Sequence, residues 1–210
     1  MNQNNSGLLG SIPPITLNII IINVLMLLAG IVLEKVGIYL TKYLALFPIA
    51  SPYFEPHQIF TYMFMHGGMG HLFFNMFAVF MFGRTLEAVW GPKKYLTFYL
   101  LTGIGAGLTQ LLVTAIAGSF VPTVGASGAV FGILVAFGMM FPNTQLYIIP
   151  FPFPIKAKWF VMGYGAFELF SGISNNPDSN IAHFAHLGGL LTGVIIILFW
   201  RYKNKKNGYH

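Results

Sequence analysis

Apolar residues run in six stretches along the chain, each broken off by proline, glycine or charge. They are Thr16 to Leu33, Ile59 to Phe82, Tyr95 to Ala117, Ser127 to Phe141, Trp159 to Ile173 and Ile181 to Trp200. Such stretches predict membrane-spanning helices. All 12 prolines fall outside them, as continuous helices require. The expected fold is an all-α polytopic bundle of six transmembrane helices, one domain over residues 1–210, with residues 1–15 a short N-terminal tail and 201–210 a basic C-terminal tail. The fourth stretch is unusual, because Ser127 to Phe141 is 15 residues, ~22 Å as a helix against ~30 Å of hydrocarbon. If its cytoplasmic end reaches the interface, Ser127 lies several ångströms below the opposite surface.

Composition agrees with this reading. The chain is 56% hydrophobic and 8% charged, with a mean hydropathy of +0.71, far from the balance of a soluble domain. There is no cysteine, which excludes disulfides, a thiolate nucleophile and cysteine-ligated metal. Met1 to Gly10 carries no Lys or Arg and no A-x-A-like site follows, so no cleaved leader is expected.

The net charge of +6 could point to nucleic acid, but the placement of the basic residues points to topology. Arg84, Lys93 and Lys94 follow the second stretch, Lys156 and Lys158 follow the fourth, and Arg201, Lys203, Lys205 and Lys206 follow the sixth. With six spans these positions share one face, and only Lys35 and Lys42 fall on the other. That face is cytoplasmic by the positive-inside rule, both termini lie there, and the partners expected are membrane lipids with no nucleic acid. The first outer loop, Glu34 to Gln58, is 25 residues long yet still apolar (Val36, Ile38, Leu40, Leu44, Leu46, Phe47, Tyr53, Phe54). It is expected to lie partly in the outer leaflet. No internal repeat supports an inverted-repeat transporter.

Few ionisable residues fall inside the stretches: His66, His71, His183, His186 and Glu168. At that depth such groups are costly and mark candidate sites. Ser127, in Gly125-Ala126-Ser127-Gly128, opens a helix whose free N–H groups and dipole suit a developing oxyanion. The tetrapeptide alone leaves simple N-capping open. His186 lies about five residues, ~8 Å, inside the sixth stretch, a depth like that inferred for Ser127. Gly189 and Gly193 share its helical face, and Gly128 and Gly132 repeat the small-xxx-small pattern on the fourth stretch. Where these faces meet, Ser127 and His186 stand as nucleophile and base. No carboxylate matches that depth: Glu168, about ten residues into its stretch, is expected near mid-membrane as a structural group, leaving a dyad.

His71 and Asn75, at i and i+4, share a face and can donate to an oxyanion, or simply join helices. His66, about 140° away on the wheel, is expected to brace the long loop. His183-x-x-His186 makes a zinc site conceivable, but no H-E-x-x-H carboxylate accompanies it, and no metal or other cofactor is expected.

Taken in order, His66-x4-His71-x3-Asn75, Gly83-Arg84-Thr85-Leu86-Glu87, Gly125-Ala126-Ser127-Gly128 and Ala185-His186-x-x-Gly189-x-x-x-Gly193 closely resemble the rhomboid intramembrane serine proteases, in their bacterial six-transmembrane form. The resemblance covers His66 to Gly193 and the six-span layout. It implies a serine endopeptidase of the cell inner (plasma) membrane, acting on transmembrane protein substrates near the outer face. Ser127 is then the nucleophile and His186 the base, while Asn75, His71 and the Ser127 N–H receive the oxyanion. His66, Gly125, Gly128, Gly189 and Gly193 support the site, and His183 is a neighbour. The resemblance further implies that the first outer loop lies in the membrane plane, that the fifth span with Ser171 to Asn180 gates and caps a water-filled cavity, and that Arg84 and Glu87 make cytoplasmic contacts. One departure is the absence of the Trp-Arg pair that many members carry in that loop.

Overall fold

A computed structural model describes residues 12–147, 153–173 and 183–206. Helix α1 spans Pro14–Glu34, followed by the short helices α2 (Thr41–Leu44) and α3 (Gln58–Thr61). Next come α4 (Met69–Ala78), a π turn (Val79–Gly83) and α5 (Arg84–Trp90), which run on as one apolar rod from Met69 to Trp90. Helix α6 is Pro92–Ala117, α7 Ser127–Met140, α8 Ala157–Ile173 and α9 His183–Lys206. Of the described helices, four are long and apolar enough to cross a membrane: Pro14–Glu34, Met69–Trp90, Pro92–Ala117 and His183–Lys206. Residues 174–180 of the expected cap segment Ser171 to Asn180 and the first two residues of the expected sixth span lie outside the described residues, as do residues 1–11 and 207–210 of the two tails.

The second stretch departs most from expectation. It is not one helix from Ile59 to Phe82: Met65 turns extended (φ −91°, ψ 144°) after a 3₁₀ turn at Tyr62–Phe64, and the rod starts only at Met69. Gly67 and Gly68 are poor helix formers and separate the two pieces. At the other end the rod continues past Phe82, since Arg84 and Glu87 are charged without being helix breakers. Likewise Pro14 and Pro92 stand within helices, at the first turn where a missing N–H costs nothing. The C-terminal basic residues up to Lys206 are helical and form the last turns of α9.

Helix α7 is the centre of the bundle. Every residue from Gly128 to Gly138 is buried, which an all-round apolar helix requires. It packs chiefly against α6 and α9, which also pack on each other, while α8 leans on α7 and α9. Outward side chains such as Leu25, Phe74, Ile116, Phe170 and Phe199 are exposed and apolar, as a lipid-facing surface would be.

One end of the bundle is held by a buried carboxylate. Glu87 accepts the Ile15 N–H (2.9 Å), the Thr16 N–H (2.7 Å) and the Thr16 hydroxyl (2.7 Å), tying the first turn of α1 to α5. Its charge meets the positive end of the α1 dipole. At the same end Lys94 lies over the Trp200 ring (4.4 Å), Trp90 packs edge-on to Trp200 (5.4 Å), and Arg201 donates to the Met139 carbonyl (2.8 Å). Glu87→Ala strands three donors, two of them buried, and is expected to cost about 3 kcal/mol. Thermal unfolding in detergent measures it, and an unchanged midpoint would refute the capping role.

The long connection after α1 is held by Gln58 from α3. Its amide donates to the Tyr53 carbonyl (2.8 Å) and its Oε1 accepts from the Phe47 N–H (3.2 Å), while Thr61 Oγ1 donates to the Leu44 carbonyl (2.9 Å). Leu46 pairs with Thr123 through two 2.9 Å backbone bonds, which fastens this loop to the segment leading into α7. Val36, Ile38, Tyr43, Ile49 and Tyr53 remain exposed.

Candidate active site

Ser127 is the first residue of α7, and the capping position belongs to Ala126, which makes no side-chain cap bond. The capping alternative for the serine is thereby removed. Its hydroxyl instead lies within hydrogen-bonding distance of His186 Nε2, at 2.8 Å, across 59 residues of sequence. His186 sits in the first turn of α9, so the starts of two helices carry the pair.

What brings them together is the absence of β-carbons. A β-carbon on Gly189 would fall on the Gly128 carbonyl, and one on Gly193 would come 2.8 Å from Val135 and 3.2 Å from Gly132 Cα. Helices α7 and α9 therefore touch backbone to backbone at Gly128, the residue after the serine, and Gly189, one turn beyond the histidine, the close approach that small residues permit.

The imidazole is held on two further sides. Its face stacks on Phe131, one turn after Ser127 on α7, at 4.5 Å and 11° between planes. Its Nδ1 lies 2.9 Å from Glu168 Oε2, and the same oxygen lies 2.7 Å from His183 Nδ1. This corrects the expectation that no carboxylate shares the level of His186. Glu168 stands five residues from the Ile173 end of α8, ~8 Å, and its contact with His186 puts the two in one layer. Counting inward from Trp159 misplaced it because α8 has only 17 residues. The available signal was that Glu168 is an acid alone within an apolar helix.

The three ligand-type atoms of Glu168, His183 and His186 lie within 4.8 Å of one another. Two ligands on one tetrahedral zinc stand roughly 3.3 Å apart, whereas the contacts to Glu168 are 2.7 and 2.9 Å. They are hydrogen bonds of charge-assisted length.

On the opposite flank, Gly125 takes a positive φ of 127°, open to glycine, and its N–H donates to the Tyr62 carbonyl (2.9 Å). A β-carbon there would lie 2.8 Å from His71 Nε2 and 3.7 Å from Ser127 Oγ, so the bare glycine separates the His71 ring from the serine. Gly67 N–H points at His71 Nδ1 through a long 3.4 Å contact. That places the remaining ring proton on Nε2, toward Gly125. Asn75 is buried, with Nδ2 donating to the His71 carbonyl at 2.9 Å, and its second N–H is left over. His66 is not on the same helix as His71, since it precedes α4; it is buried and packs edge-on against the His71 ring at 5.0 Å. It therefore backs the flank of the site.

Comparison with known proteins meets this geometry. The family model described as the Rhomboid domain matches residues 53–203. The chain belongs to the rhomboid family. Among curated rhomboid relatives, Rhomboid protein 1, mitochondrial, of Saccharomyces cerevisiae is 29% identical over 146 residues, 63% of this chain and 38% of that protein. Rhomboid protease AarA of Providencia stuartii is 30% identical over 155 residues, 64% of this chain and 52% of that protein. Rhomboid protease GluP of Bacillus subtilis is 28% identical over 138 residues, 65% of this chain and 24% of that protein. The rhomboid chain described here thus aligns with about half or less of the length of these relatives. With its long apolar helices it is a multi-pass membrane protein.

Proposed function

We propose that this rhomboid-family chain is an intramembrane serine endopeptidase that cleaves transmembrane protein substrates near the outer membrane face. The observation that carries the reading is the 2.8 Å bond from the Ser127 hydroxyl to His186 Nε2 at the head of a buried helix. Two relatives are named rhomboid proteases, which supports the same class of reaction.

In this reading the Ser127 proton passes to His186 Nε2 as Oγ attacks the scissile carbonyl. The oxyanion forms beside the free N–H of Ser127, the His71 Nε2–H and the spare Asn75 N–H. The C–N bond then breaks as the leaving amine takes the proton from His186. Water, deprotonated by Nε2, attacks the acyl-serine and releases the carboxylic acid. A helical substrate hides its carbonyls, so it must unwind first, and cuts should favour small or helix-weakening residues.

The proposed topology is a single domain of six spans, α1, the rod Met69–Trp90, α6, α7, α8 and α9, in the cell's plasma membrane with both termini cytoplasmic. Supporting it, Glu87, Trp90, Lys94, Met139, Trp200 and Arg201 cluster at one end, while Ser127 and His186 begin the opposite ends of their helices. The apolar loop after α1 would lie in the outer leaflet, and α8 would border substrate entry.

The test is labelling of the folded protein in detergent with a fluorophosphonate probe. A single adduct on the peptide bearing Ser127 is expected. No adduct on well-folded protein would make the chain a non-catalytic binder of transmembrane clients.

A further inference from the structure

The Ser127–His186 reading accounts for one edge of the imidazole and leaves the other edge to Glu168. We propose that Glu168 is a positioning residue of this site, a carboxylate that holds His186 in the tautomer and orientation in which Nε2 can take the Ser127 proton. The inference rests on the proposed function and adds to it a third polar member, carried on a third helix.

A carboxylate accepts hydrogen bonds and cannot donate them. With Glu168 Oε2 at 2.9 Å, His186 Nδ1 must carry its ring proton. Nε2 is then bare and turned to the Ser127 hydroxyl at 2.8 Å. Without the carboxylate either nitrogen could hold the proton, and in one of the two forms Nε2 could not act as base. Phe131 stacked on the ring face removes the remaining freedom to swing.

Glu168 is 2% exposed and is the one acidic residue of the largely apolar α8, where a buried ionised group survives only when its charge is answered. It is answered by two imidazoles. His183 lies one turn before His186 on α9 and donates to the same oxygen at 2.7 Å. That second bond keeps the carboxylate in place while His186 exchanges its proton with Ser127. When His186 becomes the imidazolium, the negative charge beside it lowers the energy of the charged pair.

A purely structural role, latching α8 onto α9, makes a different forecast. Glu168→Gln retains size, removes the charge and can turn an amide N–H toward His186 Nδ1, so the imidazolium loses its counter-charge and the ring is no longer held in the Nδ1-protonated form. With a membrane-spanning reporter in detergent, kcat is expected to fall about 10²- to 10⁴-fold, with KM within about 3-fold and the unfolding temperature near that of the wild type. Fluorophosphonate labelling should slow by a similar factor. A folded Glu168→Gln protein with wild-type kcat overturns the inference, as does a loss that appears only in KM or only as unfolding.

Should the variant fail to fold, nitrogen NMR of the ¹⁵N-histidine-labelled wild type decides the matter, with the His186 signal assigned by its loss in His186→Ala. The Nδ1-protonated form is expected, and an Nε2-protonated neutral ring overturns the inference. Treatment with a chelator gives a further arm: retained kcat supports the hydrogen-bonded trio, and loss restored by zinc would make it a metal site and overturn it. Ser127→Ala and His186→Ala run alongside separate the two layers. Cleavage that persists in Ser127→Ala defeats the proposed function itself, whereas inactive Ser127→Ala beside fully active Glu168→Gln defeats this inference alone.

Discussion

Ser127→Ala is expected to abolish cleavage of a membrane-spanning reporter, a loss of ~10⁴-fold or more, with little change in thermal unfolding. The hydroxyl makes one side-chain bond, to His186 Nε2, at a position that is only partly buried. Its removal therefore costs the fold about 1 kcal/mol while deleting the attacking atom. His186→Ala should fall by a similar factor, and the double variant no further, because nucleophile and base act as one unit. Asn75→Ala should be milder, about 10²-fold, since the Ser127 N–H and His71 still face the oxyanion. The measurement is the rate of reporter cleavage by each purified variant at equal folded concentration. Undiminished cleavage by Ser127→Ala would remove the serine from the mechanism.

Gly189→Ala should fail in a different way, losing fold and activity together. Its new β-carbon meets the Gly128 carbonyl carbon and oxygen, which are backbone and cannot rotate aside. Relief requires α7 and α9 to separate, at an expected cost of about 3 kcal/mol. The same movement draws Ser127 away from His186, since each residue starts one of the two helices. A displacement of ~1 Å at reacting groups is worth about 10²-fold in rate, so the folded fraction should also be slow. Gly30→Ala is the control: a β-carbon there meets nothing within 4 Å, and both stability and cleavage should be retained. Wild-type melting and cleavage by Gly189→Ala would mean that the two backbones do not touch.

The residues differ in how well the linear pattern reveals them. Gly128, Gly132, Gly189 and Gly193 are spaced so that a helix-wheel argument juxtaposes two faces, and that spacing is local information. Glu168 shows the limit of depth counting. Its level depends on where α8 ends and how the helix stands against α9, and neither follows from hydropathy. His66 is a similar case, because a wheel drawn through Gly67 and Gly68 assumes a helix where the chain is extended. Phe131 reads as one more apolar residue of a buried helix until the fold lays the His186 ring over it. Gln58 and Glu87 carry no pattern at all, yet one organises the long loop and the other caps α1.

Read along the chain, the residues mark a helical multi-pass membrane protein, and they single out a serine and a histidine flanked by glycines as a pair to test. Those properties depend on composition and on helical periodicity, both written along the chain. Only the tertiary structure decided that the second stretch breaks at Met65 to Gly68, that Ser127 is not a cap, and that a carboxylate from α8 reaches the imidazole between two helix starts. Such features depend on how far each helix slides along its neighbours. That offset is set by side-chain packing across distant segments, and a shift of one turn would undo it without altering any pattern in the sequence.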